Sequence, residues 1–258
     1  MIYHNVIVNQ NAAYKENHAL ILNSQRITLE QPHHYWQQAN LDISLSKILK
    51  PSKTIQQAIY IGRIPLHFGH FLIEGLPKMA DLPFLNLPFI GYLTKGFLPP
   101  NIKAMEEDQA RTLIKMISKN KFIEIKENEN ILVKNLIFND PPLTISHTVH
   151  DPEKMSKLIQ HITKECKKLH PMNEIENLYL NRLDEELKEN SNNPNDPITL
   201  QIAKVANAKS LEGNTGSNTH LSMFANKFTK TNFIPRNDPD QTDRNQLLCD
   251  LIRMYNKE

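Results

Sequence analysis

The stretch that decides the fold is residues 198–226, ITLQIAKVANAKSLEGNTGSNTHLSMFAN. Its first part has apolar residues at helical spacing, which predicts a helix over Ile198–Ala208. A very short strand is expected over Ser210–Gly213, followed by a turn over Asn214–Asn218 and a helix from about Thr219 to Asn226. A helix, a strand, a glycine loop and a second helix in this order are typical of an α/β fold.

The rest of the chain repeats this alternation. The expected strands are Tyr3–Val8, Ala19–Leu22, Ala58–Ile61, Phe89–Leu93, Phe122–Ile125, Ile131–Phe138, Leu178–Leu180 and Thr231–Ile234. The expected helices are Phe68–Leu82 (interrupted by Pro77), Ala104–Ile117, a helix from the N-cap Asp151 through Lys168, and Gln241–Tyr255. The polar stretches Gln31–Gln38 and Leu187–Pro197 are expected to be loops. We therefore predict mostly parallel sheets. We also predict two domains, 1–142 and 143–258, with their boundary at Asn139–Pro142, where the regular elements are interrupted.

The composition narrows the classes of function. The chain has 258 residues with 30 basic and 28 acidic side chains, and this balance argues against a dedicated nucleic-acid binder. Its two cysteines, Cys166 and Cys249, lack the spacing of a disulfide framework or a CxxC motif. The longest apolar run, Leu82–Leu93, is interrupted by prolines and is too short for a membrane span. The N-terminus does not resemble a signal peptide, so we expect a cytoplasmic protein.

A first candidate site lies where the strand Ala58–Ile61 leads into the next helix. His67, His70 and Glu74 have the spacing i, i+3 and i+7, so on a helix they share one face. Open α/β sheets bind ligands at the carboxyl ends of their strands, where this helix would begin. An imidazole beside a carboxylate is a suitable general base. A zinc site and a purely structural role for the histidines stay open as alternatives.

A second candidate site is the segment Glu212–His220. Free backbone N–H groups of a glycine-containing loop converge on one spot, and a helix that starts there adds its dipole, which predicts a diphosphate site. Ser217 and Thr219 would supply hydroxyl donors, and His220 would supply a further donor. The alternative is an ordinary tight turn in which Ser217 or Asn218 caps the helix.

Arg182 is a third candidate, because it comes just after the expected strand Leu178–Leu180. An arginine at this place often reaches into the ligand cleft, and its planar fork binds phosphate through two parallel hydrogen bonds. From the sequence it is equally a surface residue.

Four segments together resemble the family-61 glycosyltransferases, which are common in bacterial capsule and lipopolysaccharide gene sets. HFGHFLIEGLPKM (67–79) is similar to that family's aromatic–His–Phe/Trp–Leu…Glu/Asp…Leu-Pro-Arg helix, and LYLNR (178–182) to its Tyr-Leu-Ser-Arg strand. ITLQIAKVANA (198–208) is similar to the segment with a Gln-Ile pair before the glycine loop. LEGNTGSNTHLSMFAN (211–226) is similar to Gly-x-x-Gly-Ser/Ala-x-x-x-Asn/His…Phe. The likeness covers roughly residues 55–236, and the order of the motifs makes the set more specific than its members.

The resemblance implies a GT-B-like architecture, in which two Rossmann-like halves face a cleft and the C-terminal half binds the nucleotide sugar. It also implies inversion at the anomeric carbon without a cofactor or an obligatory metal. On the acceptor side it implies three catalytic candidates, His70, Glu74 and His67, with His70 or Glu74 as the base. On the donor side it implies Arg182, Gly213, Gly216, Ser217 and His220, with Glu212 and Asn214 beside them.

The implied partners are a nucleotide sugar and a glycan or lipid-linked glycan acceptor, with no nucleic acid. Other polysaccharide-assembly proteins at the inner membrane are further implied partners, and they would place this chain peripherally there.

The chain departs from the family at two places. Between Arg182 and Ile198 the family usually has a longer stretch with a helix and a strand, whereas a polar loop is expected here, so the C-terminal half is abbreviated. Lys78 replaces the usual arginine. Two other functions therefore stay open. One is a non-catalytic relative that binds a glycan or a partner protein. The other is a metal-dependent hydrolase that uses His67, His70 and Glu74.

Overall fold

The structure is a computed structural model, and it describes most of the chain. The described residues are 2–10, 12–15, 18–22, 50–95, 105–138, 143–144, 148–149, 151–182, 185–235 and 239–256. The expected loop Gln31–Gln38 and the expected boundary Asn139–Pro142 lie outside them. Within these residues the protein is an α/β protein with one mixed and one parallel sheet.

The chain forms two compact units that are each assembled from separate stretches of sequence. Unit 1 consists of Met1–Ile64, Phe84–Thr94 and Asn120–Asp140, and unit 2 consists of Pro65–Pro83, Lys95–Lys119 and Pro141–Glu258. The domains 1–142 and 143–258 stay a prediction. Both candidate sites, His67–Glu74 and Glu212–His220, belong to unit 2.

Unit 1 is built on a seven-stranded sheet with the order β3-β2-β1-β7-β4-β5-β6. The strands are β1 (Ile2–Val8), β2 (Ala12–Lys15), β3 (His18–Leu22), β4 (Lys53–Pro65), β5 (Phe89–Thr94), β6 (Phe122–Glu124) and β7 (Ile131–Phe138). β1 is antiparallel to both β2 and β7, whereas β4 runs parallel to β7 and β5 parallel to β6. The prediction of mostly parallel pairing was therefore wrong for the β1–β3 side of this sheet.

The strand β4 is much longer than the expected Ala58–Ile61. Three of its first four residues, Lys53, Thr54 and Gln56, are polar and exposed, so the composition of this end does not indicate a buried strand. They are extended because their backbone pairs with β7 from Lys53 opposite Ile131 onward. Alternating buried residues of β7, such as Ile131 and Val133, then form a core with Val6 of β1.

Unit 2 contains a parallel sheet with the order β11-β10-β12-β13. Its strands are β10 (Ile175–Leu180), β11 (Ser191–Asn192), β12 (Ala208–Asn214) and β13 (Lys230–Ile234). Two short strands, β8 (Leu143–Thr144) and β9 (Thr148–Val149), pair separately. The α-helices are α1 (Phe68–His70), α2 (Glu107–Ile117), α3 (Pro152–Leu169), α4 (Ile198–Ala206) and α5 (Pro239–Met254).

Part of the expected loop Leu187–Pro197 is a strand, which corrects the sequence prediction. Ser191 and Asn192 form β11, which runs parallel to β10 at the edge of the sheet. The Asn192 amide donates to Gln201 Oε1 at 3.0 Å, and Gln201 Nε2 donates to the Asp196 carbonyl oxygen at 2.7 Å. The strand therefore depends on a glutamine of α4, a contact that the composition of the loop does not reveal.

The helix expected over Phe68–Leu82 is not one regular helix. After α1 the chain makes a π-helical turn over Phe71–Gly75, in which the Leu76 N–H reaches back to the Phe71 carbonyl, and then a 3₁₀ turn over Leu76–Met79. Pro77 lies in that last turn, where it lacks the N–H that a regular helix would use. We refer to residues 68–79 as the histidine helix. A separate 3₁₀ turn covers Leu82–Phe84.

The helix expected at the second candidate site, Thr219–Asn226, is instead a 3₁₀ helix over Thr219–Phe224. By contrast, α3 begins as predicted, because the Asp151 carboxylate accepts from the Lys154 N–H at 2.9 Å and Pro152 occupies the first helical position. In the described part of the chain, no helix has both the length and the apolar character that a membrane crossing requires.

Candidate functional site

The histidine helix presents an imidazole and a carboxylate in direct contact. His70 Nδ1 lies 3.4 Å from Glu74 Oε2, one turn further along the helix. The His70 side chain is 31% exposed, whereas that of Glu74 is 10% exposed. An accessible imidazole is thus oriented by a nearly buried carboxylate, which is the arrangement that general-base catalysis requires.

Lys78 completes this row of charged groups. Its Nζ atom lies 3.6 Å from Glu74 Oε1, and its side chain is nearly buried as well. Glu74 therefore has a histidine on one oxygen and an ammonium group on the other. Sequence reasoning noted Lys78 only as a departure from the family pattern.

His67 has a different environment from His70. It is the N-cap of α1, where its Nδ1 atom accepts a hydrogen bond from the His70 backbone N–H at 3.4 Å. The two imidazole rings meet edge to face, with 4.8 Å between their centroids. Burial lowers the pKa of His67 to about 4, and the nearby His70 acts in the same direction. His67 is therefore neutral near pH 7 and supports the helix start.

The turn over residues 214–218, which we call the glycine loop, lies directly against the histidine helix. A Cβ atom on Gly69 would come within 2.7 Å of Ser217 Oγ and 2.9 Å of Ser217 Cβ, and within 3.3 Å of His220 Nδ1. Only a residue without a side chain permits this approach. The structure thus brings together His67, His70, Ser217 and His220, which the sequence had placed in two separate segments.

His220 is buried beside this contact, with 4% of its surface exposed. Neither of its ring nitrogens makes a hydrogen bond of normal geometry to any described residue. Its pKa is lowered to about 4, mainly by burial and also by His70 and His67, while the Gly69 backbone opposes the change. His220 is therefore neutral near pH 7, and no described residue uses its hydrogen-bonding capacity.

The amides of the glycine loop are less free than the sequence predicted. The Gly216 N–H donates to Thr219 Oγ1 at 3.2 Å, and the Thr215 N–H donates to the Ile234 carbonyl oxygen at 3.0 Å. The following 3₁₀ helix is only six residues long, so its dipole contributes little. Any anion held here relies mainly on side chains such as Ser217.

The remaining donor-side candidates lie around the carboxyl ends of β10 and β12. Arg182 comes just after β10, and its backbone N–H donates to Glu185 Oε2 at 3.1 Å. Asn214 ends β12, and its side chain donates to Glu185 Oε1 at 2.7 Å and to the Tyr179 hydroxyl at 3.3 Å. Glu185, which sequence reasoning missed, therefore joins the two strand ends.

The two other residues expected near the donor have different positions. Gly213 lies within β12, where a Cβ atom would come within 3.0 Å of the Leu180 carbonyl oxygen, so it permits close strand packing. Glu212 is exposed on the same strand. Gly69 and Lys78 lie inside the segment 67–79 that carries part of the family resemblance, but the sequence indicated no role for either of them, and Glu185 lies in no motif.

The same residue types can also act as metal ligands. Across the parts of the chain that the structure describes, no three His, Cys, Asp or Glu side chains are arranged to hold a metal ion. His70 and Glu74 contact each other and His67 contacts a backbone amide, so their geometry is that of a hydrogen-bonded site.

Comparison with known proteins adds no assignment: no protein-family model matches the sequence, and no curated protein matches it significantly.

Proposed function

We propose that this chain is an inverting glycosyltransferase of the family-61 type, which moves a sugar from a nucleotide-sugar donor to a hydroxyl group of a glycan or lipid-linked glycan. The two-domain GT-B arrangement, a cytoplasmic location and partners at the inner membrane belong to this proposal. It rests on the resemblance of four ordered motifs and on one structural observation. That observation is the contact of His70 with Glu74, close to Ser217 of the glycine loop.

In the proposed reaction His70 is the general base. It removes the proton from the acceptor hydroxyl while that oxygen forms a bond to the anomeric carbon and the bond to the diphosphate breaks. The proton stays on the imidazole, where the Glu74 carboxylate 3.4 Å from Nδ1 stabilises the new positive charge. Attack opposite the leaving group inverts the anomeric configuration.

The donor side has to stabilise the negative charge that develops on the leaving diphosphate, which is the largest electrostatic requirement of the reaction. The Ser217 hydroxyl, a ring nitrogen of His220 and the Arg182 guanidinium are the groups we assign to this role. Asn214 and Glu185 support them by fixing the ends of β10 and β12. This scheme needs no metal ion to neutralise the diphosphate.

The proposal is tested by donor turnover. The purified chain is incubated with UDP-, GDP- and CMP-sugars, the released nucleotide is quantified, and the anomeric form of the product is read by NMR. We expect one donor class to react with inversion. Removal of the base in His70→Ala is expected to lower kcat by about 10²–10⁴-fold, and Glu74→Gln to lower it with little change in KM.

The matched control is His4→Ala, because His4 is an exposed histidine of unit 1 that contacts Asn135. This variant should retain full turnover. Turnover that survives His70→Ala, or a retained anomeric configuration, would refute the assigned chemistry. A chain that releases no nucleotide from any donor and whose glycan binding is unaffected by His70→Ala would be the non-catalytic relative.

A further inference from the structure

A cavity of about 550 Å³ lies in unit 2, away from the histidine helix. It is bounded by the last two turns of α3, by Ala206 at the end of α4, by Phe224–Asn226 and by Asn256. Ala206 lies two residues before the start of β12, and Asn226 lies four residues before the start of β13, so the cavity lies at the amino ends of these parallel strands. Ser217 and Asn214 lie at their carboxyl ends, so the cavity is a separate site.

The cavity is positively charged. Lys164, Lys167 and Lys168 line it from successive turns of α3. Lys168 forms an ion pair with Glu165 at 2.6 Å, but Lys164 and Lys167 have no ion-pair partner among the described residues. Two ammonium groups that line one cavity without an ion-pair partner favour an anion there.

The polar lining adds hydrogen-bonding capacity. The Thr163 hydroxyl lines the cavity and is buried, and it has no hydrogen-bond partner in the described part of the chain. Unused buried donors are rare in folded proteins, and a ligand with acceptor oxygens is one way to satisfy them. Lysines together with a hydroxyl are the donors that bind phosphate esters.

Exposed apolar side chains lie close in sequence to residues that line this cavity. Leu169 follows Lys168 at the end of α3 and is 55% exposed, and Phe228, two residues after Asn226, is 67% exposed. Met254 and Tyr255 immediately precede Asn256 and are 69% and 48% exposed. Lys227 lies over the Phe228 ring, 4.7 Å from its centroid. Aromatic and aliphatic side chains beside lysines are typical of surfaces that lie at a lipid interface.

The apolar surface continues along α5. Leu247, Leu251, Met254 and Tyr255 have the spacing i, i+4, i+7 and i+8, so they form one stripe, and all are exposed. The adjacent face, with Leu248, Cys249 and Ile252, is buried in unit 2.

We propose that this face docks on an anionic phospholipid surface, with a headgroup phosphate between Lys164 and Lys167 and with the α5 stripe and Phe228 at the acyl boundary. A free phosphate would use the lysines but would leave the apolar stripe uncovered. A symmetric dimer through this face would cover the stripe but would bring the lysines of both copies together. Anionic lipid satisfies both the charge and the apolar surface. This inference does not depend on the proposed transferase activity.

The experiment is co-flotation of the full chain with two kinds of vesicle, phosphatidylcholine alone and phosphatidylcholine with phosphatidylglycerol. We expect the chain to float only with the second kind and to be released by salt. Lys164→Gln/Lys167→Gln and, separately, Leu247→Ser/Met254→Ser should each lower the partition coefficient on the order of tenfold or more. The substituted side chains are exposed, and circular dichroism checks that the variants fold.

The matched control is Lys157→Gln/Lys209→Gln, which removes the same net charge from exposed ion pairs with Glu153, Glu174 and Glu176. It should float nearly as well as the unmodified chain. The proposal is overturned if the chain ignores anionic vesicles, or if the control loses as much binding as the cavity variant. It is also overturned if inorganic phosphate binds in the cavity while vesicles do not bind. A dimer in ultracentrifugation that buries the α5 stripe would overturn it as well.

Discussion

At the scale of single residues, His220 is an imidazole that is almost completely shielded from water. It is 4% exposed and has no hydrogen-bond partner within the described chain. An unsatisfied buried imidazole usually costs stability. Because its pKa is lowered, the free energy of unfolding depends on pH, and equilibrium unfolding can measure this dependence.

The pKa of His220 falls from its ordinary value of 6.5 to about 4 because of burial. Above pH 6.5 the imidazole is neutral in both states, so stability does not depend on it. As the pH falls below 6.5, the unfolded chain takes up a proton that the folded chain does not bind, and the free energy of unfolding decreases until about pH 4. His67 acts in the same direction, but it is partly exposed, so its effect is smaller.

We therefore expect His220→Gln to flatten the pH dependence of stability. Urea unfolding at about pH 7.5 and about pH 5 should show a decrease that is smaller in the variant by roughly 2 kcal/mol. The His4→Ala variant controls for the loss of an exposed histidine. An unchanged pH dependence in His220→Gln would mean that this imidazole is not buried in solution.

At the scale of elements, the histidine helix and the glycine loop are joined at Gly69. A methyl group at this position would lie within 2.9 Å of both Cβ and Oγ of Ser217. Alanine favours a helix over glycine by up to about 1 kcal/mol, but overpacking of this kind costs about 1–3 kcal/mol. We expect Gly69→Ala to be destabilising on balance, as measured by urea unfolding.

A double-mutant cycle separates this contact from a general effect of the substitution. Ser217→Gly removes both clashing atoms, so Gly69→Ala/Ser217→Gly should recover most of the stability lost by Gly69→Ala. Gly216→Ala is the matched control, because its Cβ atom would meet nothing closer than the Asn214 carbonyl oxygen at 4.0 Å. A cycle with no coupling would show that the helix and the loop are not in contact.

The edge strand β11 is held by one side chain of α4. Gln201 is 3% exposed, accepts from Asn192 and donates to the carbonyl oxygens of Asp196 and Pro194. Gln201→Leu has a similar size but leaves these groups without partners, which costs about 1–3 kcal/mol. Hydrogen exchange should then be faster at Ser191 and Asn192. Gln56→Leu, at an exposed glutamine of β4, should leave exchange at β11 unchanged.

Local signals explain which elements the sequence predicted well. Asp151 and Pro152 define the start of α3 through contacts within four residues, so the prediction is confirmed there. The strand β11 and the first part of β4 were missed because they depend on partners far along the chain, Gln201 and β7. The periodicity of the apolar residues also could not predict the π-helical turn in the histidine helix, because the same residues fit a regular helix as well.

At the scale of the whole molecule, the candidate site draws on segments that are about 150 residues apart in sequence. Residue types and glycine spacing selected both segments, and the structure brings Gly69 against Ser217. The sequence could not indicate that the Gly216 and Thr215 amides are already hydrogen-bonded, because these bonds depend on Thr219 and Ile234. The proposed binding of the donor diphosphate therefore relies more on side chains and less on backbone N–H groups than the loop motif predicted.

The three candidate functions differ in which ligand stabilises the folded chain. A ligand that binds only the folded state raises the free energy of unfolding by about 2.7 kcal/mol at a concentration of 100 Kd. For a chain of this length that corresponds to an increase in Tm of about 5–10 °C. The proposed transferase should show such an increase with UDP, GDP or CMP, and the increase should be lost in Ser217→Ala/Arg182→Gln.

The same melting experiment with zinc chloride tests the metal-dependent alternative. His70 and Glu74 contact each other, and Lys78 occupies the second carboxylate oxygen, so a divalent cation would have to displace an ammonium group to reach Glu74. We therefore expect zinc to leave the Tm of the chelator-treated chain unchanged and the nucleotide to raise it. A zinc-dependent increase that disappears in His70→Ala would instead support the hydrolase. No increase with either ligand would favour the non-catalytic relative, whose ligand would then be sought among glycans.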